Sequence, residues 1–189
     1  SGTSQSARIA AEDYDNIYVV DSGSVTLGTG ILAEYALRCA CSGMEASRIA
    51  ELLEKKKEDV CLIAMLDTLE YLKKGGRISA AVAFAGGLLN IKPVVNVKDG
   101  VIHMLGKARG SKQGNNLLAQ EIGKTGGIDF SMPILLGYSG LSDTLLKKYI
   151  TDSAPLWEGS VDTLRYTSIG SVVGTHAGPG AIAAAFFHK

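Results

Sequence analysis

The residues best suited to chemistry lie near the C-terminal end, in Ser171-Val-Val-Gly-Thr-His-Ala-Gly-Pro-Gly180. Thr175 offers a hydroxyl and His176 a ring nitrogen. Three breakers follow (Gly178, Pro179, Gly180), then an almost wholly apolar run ending at Phe186 and Phe187. This order reads as a strand through Val172 and Val173, a tight turn, and then a helix or second buried segment. A turn that opens a helix leaves backbone N–H groups unpaired at the positive end of the helix dipole, where an anion is favoured. The expected chemistry is a negatively charged head held by Thr175 and His176 beside an apolar wall. The competing reading is an ordinary glycine-rich turn in which His176 is a satisfied core or surface residue.

The elements that must position this stretch alternate between strands and helices. Residues 1–11 begin with a turn-like Ser-Gly and continue as a short helical pattern. Residues 16–22 are a short apolar run ending in Asp21-Ser22, in the manner of a buried parallel strand. Residues 30–41 carry Ile31, Leu32, Tyr35, Ala36 and Cys39 on one helical face, and residues 46–57 repeat the pattern with Ile49, Leu52 and Leu53 inward. Residues 60–65 form the next buried strand. Together these predict a parallel α/β sheet.

The pattern changes after Asp67-Thr68. Residues 69–72 read as a helical turn and residues 78–89 as a helix of small side chains. Lys98-Asp99-Gly100 between alternating apolar residues signals a hairpin. A basic loop at 107–112, a helix at 113–123, a strand at 132–138, a helix at 141–150 and a strand at 164–167 follow. The predicted fold class is therefore α/β in two domains. Residues 1–66 form an incomplete parallel-sheet first domain, and residues 67–189 an α/β second domain containing the hairpin.

Composition narrows the function classes. Lys+Arg and Asp+Glu both total 19, so the formal charge is zero and no basic footprint for nucleic acid exists. The three cysteines, Cys39, Cys41 and Cys61, match neither a disulfide framework nor a zinc knuckle. His103, His176 and His188 have no metal-ligand spacing, and no cofactor fingerprint or phosphate loop is present. Asp67 and Glu70 read as a helix-capping pair rather than as catalytic carboxylates. The longest nearly uncharged apolar run, residues 78–91, is too short and glycine-rich to span a bilayer. A cytoplasmic chain with no metal, no cofactor and no integral membrane segment is expected. What remains is a set of small polar donors beside abundant apolar surface, the usual anatomy of a ligand pocket. Close helix packing would use the same small residues.

Four segments carry a family resemblance: Ser1-Gly-Thr-Ser-Gln-Ser-Ala7, Asp67-Thr-Leu-Glu-Tyr-Leu-Lys-Lys-Gly-Gly-Arg-Ile-Ser79, Leu88-Leu-Asn-Ile-Lys-Pro93 and Gly174-Thr-His-Ala-Gly-Pro-Gly180. In this order and spacing they span essentially the whole chain, which resembles the DegV family of bacterial fatty-acid-binding proteins. The resemblance implies a long-chain fatty acid buried between two domains. It also implies a separate fatty-acid kinase, related to dihydroxyacetone kinases, that makes acyl phosphate for phospholipid synthesis. The chain itself would not be an enzyme. Carried over by position, Ser1 and Gly2 contact the carboxylate, Thr175 and His176 stand beside them, and Arg109 docks the kinase. The alternative for Arg109 is a solvated loop arginine. The acyl tunnel is expected to draw on residues 78–89 and 181–187. The family carries a further N-terminal segment before its Ser-Gly-Thr motif, so this chain is expected to be the C-terminal portion of a longer protein. Two rival functions stay open: an enzyme acting on an acyl or other anionic substrate with His176 as acid or base, and a fragment that only mediates protein contacts.

Overall fold

The computed structural model describes residues 2–78 and 90–189. The expectations for Ser1 and for the small-residue helix across 79–89 lie outside the described residues. The described helices are α1 (Thr3–Ala11), α2 (Leu27–Cys41), α3 (Ala46–Lys56), α4 (Glu70–Lys74), α5 (Gly110–Lys124), α6 (Thr144–Asp152) and α7 (Ser171–Ala177). The strands are β1 (Val60–Met65), β2 (Ile91–Lys98), β3 (Val101–Arg109), β4 (Leu135–Tyr138), β5 (Tyr166–Ser168) and β6 (Ile182–Phe187). They form one sheet in the order β3-β2-β1-β6-β4-β5.

That sheet is mixed, and this corrects the parallel arrangement expected for the first part of the chain. β1 runs antiparallel to both β2 and β6, while only β4 and β5 are parallel. Residues 16–22 form no strand, because no described strand lies beside them to complete a ladder. The sheet also crosses the expected division at 66/67, since β1 pairs on both sides with strands from beyond it. The hairpin forms as expected. Asp99 and Gly100 take φ of 53° and 71°, the left-handed pair that a two-residue turn matched to strand twist requires.

β6 lies at the centre of the sheet, and all of its residues are buried. Its period-2 alternation divides two layers. Ile182, Ala184 and Phe186 join Ile63, Met65 and Val94 against α5, α6 and Trp157. Ala183, Ala185 and Phe187 join Leu62 against Leu27, Ile31 and Leu32 of α2 and Leu53 of α3. Under the first layer, the Ser153 hydroxyl donates to the Tyr149 carbonyl at 2.5 Å and accepts from Trp157 Nε1 at 3.1 Å, so the buried indole is satisfied.

The C-terminal stretch reverses part of its expected order. Residues 171–177 are helical, and the buried segment after the turn is a strand. The β-branched pair Val172-Val173 yields to helical hydrogen bonds from Gly174 N–H to Gly170 O and from Gly178 N–H to Gly174 O, both 2.8 Å. The alanine-rich run 182–187 becomes a strand because it has a partner on each side, β1 and β4. Thr175 and His176 therefore sit in the last turn of a helix and not at its positive end. Likewise the expected basic loop at 107–112 is absent: Lys107 to Arg109 finish β3, and Gly110 to Lys112 open α5. Among the described residues no helix is long and apolar enough to cross a membrane, and no cluster of three metal-ligating side chains occurs.

Candidate functional site

A cavity of about 500 Å³ opens between the sheet and the α4–α7 pair. Its floor follows from strand alternation. Leu62, Ala64 and Leu66 stand at every second position along β1 and just beyond it, and Ala181 and Ala183 do the same along β6. Ala64 and Ala183 are direct cross-strand partners. Two adjacent methyl groups at the centre of a sheet leave a hollow that two leucines would fill. Val95 and Val97 of β2 continue the floor, while Leu72 of α4 and Val172, Val173 and Ala177 of α7 form the roof.

One end of this apolar space is polar. His176 lines the cavity and is half-buried, and its Nδ1 is buried with no hydrogen-bond partner among the described residues. Arg77 lines the same end and donates from Nη1 to the Gly75 carbonyl at 2.7 Å. The arrangement can hold an anionic or hydrogen-bonding head against His176 and Arg77 while an apolar tail lies over the alanines. Arg77 is a residue that motif reading left unassigned. The signal available for it was its place beside Gly75-Gly76, inside one of the quoted segments.

Two glycines let α4 and α7 approach closely enough to hold His176 there. A Cβ on Gly75 would stand 2.1 Å from His176 Nδ1, and one on Gly178 would stand 2.3 Å from the Tyr71 ring. Gly178 also has φ of 77°, which L-residues rarely adopt. The capping role expected of Asp67 and Glu70 does not form: Leu69 is the N-cap of α4 without a side-chain cap bond, and the Thr68 hydroxyl just before it accepts from Glu70 N–H at 3.2 Å. Asp67 instead pairs with Lys92, and Glu70 with Lys74 at 2.7 Å.

The other expected site residues are spread out. Thr175 is exposed, and its hydroxyl donates to the Ser171 carbonyl at 2.8 Å within α7. Gly2 is the exposed N-cap of α1 and does not line the cavity. Arg109 is exposed at the end of β3, where its backbone N–H donates to Gln113 Oε1 at 3.1 Å. Of these residues the structure brings only His176 to the cavity.

The α4–α7 contact makes a direct prediction. Gly178→Ala is expected to destabilise the fold by about 2–4 kcal/mol, through strain at positive φ and overpacking against Tyr71. Gly75→Ala is expected to cost less but to displace the His176 ring, visible as a change in its NMR side-chain shifts. Denaturant midpoints and His176 shifts matching the parent in both variants would contradict this packing.

Residues 1–189 match the family model described as uncharacterised protein, DegV family. A DegV domain-containing protein of Caldanaerobacter subterraneus is 33% identical over 193 residues, which cover 100% of this chain and 67% of the relative. A solved fatty-acid-binding DegV family protein from Thermus thermophilus superimposes with a TM-score of 0.84 at 30% identity, over 100% of this chain and 67% of its own. The Fatty Acid Kinase (Fak) B3 protein of Streptococcus pneumoniae, solved with linoleic acid, gives a TM-score of 0.84 at 23% identity, over 100% and 68%, a likeness of fold. The chain spans about two thirds of the length of these proteins. A match that runs from the first residue to the last, on a shared fold, establishes that the chain belongs to the DegV family.

Proposed function

We propose that this chain is a lipid-binding carrier module. It holds a long-chain fatty acid in the cavity above Ala64 and Ala183 and presents the carboxylate at the His176 end to a separate fatty-acid kinase. The single observation that carries this reading is an apolar cavity of about 500 Å³ with one polar end, within the ~300–1,000 Å³ usual for ligand pockets. Each acyl CH2 buried there contributes about 0.8 kcal/mol, so the tail supplies most of the affinity and the head sets orientation. The fatty acid described with the Thermus thermophilus relative supports the same ligand class.

Cavity-lining residues come from both sides of position 67, with Val25, Thr26 and Ala64 before it and Val95, His176 and Ala183 after it. This supports a ligand lying between parts 1–66 and 67–189. Ser1, Gly2 and Thr175 enter the proposed head-group set on the family resemblance. The chain performs no chemistry of its own in this reading. Acyl phosphate forms on the kinase, in the cytoplasm, with Arg109 at the exposed end of β3 as a docking contact. The kinase-linked name of the Streptococcus pneumoniae protein supports the choice of partner.

Denaturing extraction followed by mass spectrometry tests the ligand. The purified chain, or the chain incubated with fatty acid, should yield it stoichiometrically. Ala64→Leu and Ala183→Leu should lose it while still unfolding cooperatively. An empty parent chain, or leucine variants that retain the lipid, would contradict the reading. Turnover of an acyl substrate without added kinase, abolished by His176→Ala, would favour an enzyme instead.

Arg109→Ala separates docking from binding. Lipid uptake should be unchanged, while kinase-dependent acyl phosphate formation falls about tenfold or more, as for loss of a charged interface contact. An unchanged rate would remove Arg109 from the interface.

A further inference from the structure

A second cavity of about 600 Å³ adjoins the first, and the sheet itself explains why. β1 and β2 pair only from Ile63–Asn96 to Met65–Val94. Beyond that point Val60, Cys61 and Leu62 pair with β6 alone, while Val97 and Lys98 pair with β3 alone. The two strands fork below the Ile63–Asn96 pair. Leu62, Asn96 and Val97 line both cavities, so the two cavities meet at the fork.

Asn96 stands at the fork. Alternation turns Val95 and Val97 toward the acyl face and Asn96 toward the opposite face with its partner Ile63. Asn96 Oδ1 is buried and has no hydrogen-bond partner among the described residues. Two nearby polar groups are committed elsewhere. The Thr125 hydroxyl donates to the Ile122 carbonyl at 2.7 Å, and the Asp21 carboxylate accepts from Gly23 N–H at 3.1 Å and from the Ser4 hydroxyl at 2.9 Å. Those bonds, Gly23 first, hold the Asp21 carboxyl below its ordinary range, and burial holds the Cys61 thiol above its own. The lining holds three cations (Arg8, Lys57, Lys98) and three carboxylates (Asp21, Glu58, Asp99), so the second cavity carries no charge excess that would select an anion. What it offers is a buried neutral acceptor that lacks a donor.

The distance from the head-group end fits a tail. From Leu66 to Leu62 the floor runs four strand residues, about 13 Å at the rise of a strand. An extended acyl chain with its carboxylate at His176 reaches the fork in mid-length.

We propose that the site takes fatty acids bearing a mid-chain hydroxyl, which donates to Asn96 Oδ1 at the β1–β2 fork. This rests on the carrier reading above and narrows its substrate class. Competition binding of stearic acid and a mid-chain hydroxystearic acid tests it on the parent chain and on Asn96→Leu. The parent should prefer the hydroxy acid about tenfold, the worth of one buried hydrogen bond to an otherwise unsatisfied acceptor. Asn96→Leu should bind stearic acid and show no preference. In the parent, the Asn96 side-chain amide signals should move with the hydroxy acid and not with stearic acid, a readout that needs no variant. Equal binding of the two acids by the parent, or a preference that survives in Asn96→Leu, overturns the proposal alone. Binding of neither acid overturns the carrier reading and this proposal with it.

Discussion

The contact on which the rest depends is the cross-strand pair Ala64–Ala183 at the centre of the sheet. Strand β6 meets opposite demands on its two faces. On one, Ile182 and Phe186 close a dense core with Trp157 and Tyr149. On the other, alanines hold side-chain volume down where α4 and α7 pass overhead, and the hollow survives because the backbone around it is fixed by ladders on both sides. Interiors pack at crystal-like density, so a space of this size persists only where rigid elements keep neighbours from collapsing into it. The central position of β6 supplies that rigidity.

The same logic places the polar end. His176 lies where it does because Gly75 and Gly178 let α4 and α7 come within side-chain contact, with Tyr71 filling the remaining gap. Position thus depends on the absence of two Cβ atoms rather than on a hydrogen bond to the ring. The Thr175 hydroxyl is bonded back to Ser171, and among the described residues His176 and Arg77 are the polar groups that line this cavity end. The fork between β1 and β2 at the other end arises from register. The β2 strand leaves β1 after Asn96 to complete its pairing with β3 through the Asp99-Gly100 turn.

Much of the fold was legible from local pattern. β1 falls on the apolar run 60–65, the hairpin on its Asp-Gly signal, and α2 and α3 on their periodic apolar faces. The failures share a cause, which is that a strand is defined by its neighbours. Residues 182–187, which local pattern left open between a helix and a buried segment, become a strand because they lie between two others. Residues 16–22 look like a buried strand, yet have no described strand beside them. Val172-Val173 carries β propensity that seven residues of helix override. At the candidate site, the Thr-His motif marked a segment that borders the cavity, but which of its two side chains faces the cavity is a matter of helix phase. The Ala64–Ala183 pairing joins residues far apart in the chain and has no local signature at all.

A crystal structure of the chain with a fatty acid brominated along its tail tests the central claim most directly, because anomalous scattering marks the bromine without assumptions about the pocket. Bromine density is expected above the Ala64–Ala183 pair, with carboxylate density within hydrogen-bond reach of His176. Bromine found on the outer surface of the helices, or a cavity that stays empty at saturating ligand, would contradict it.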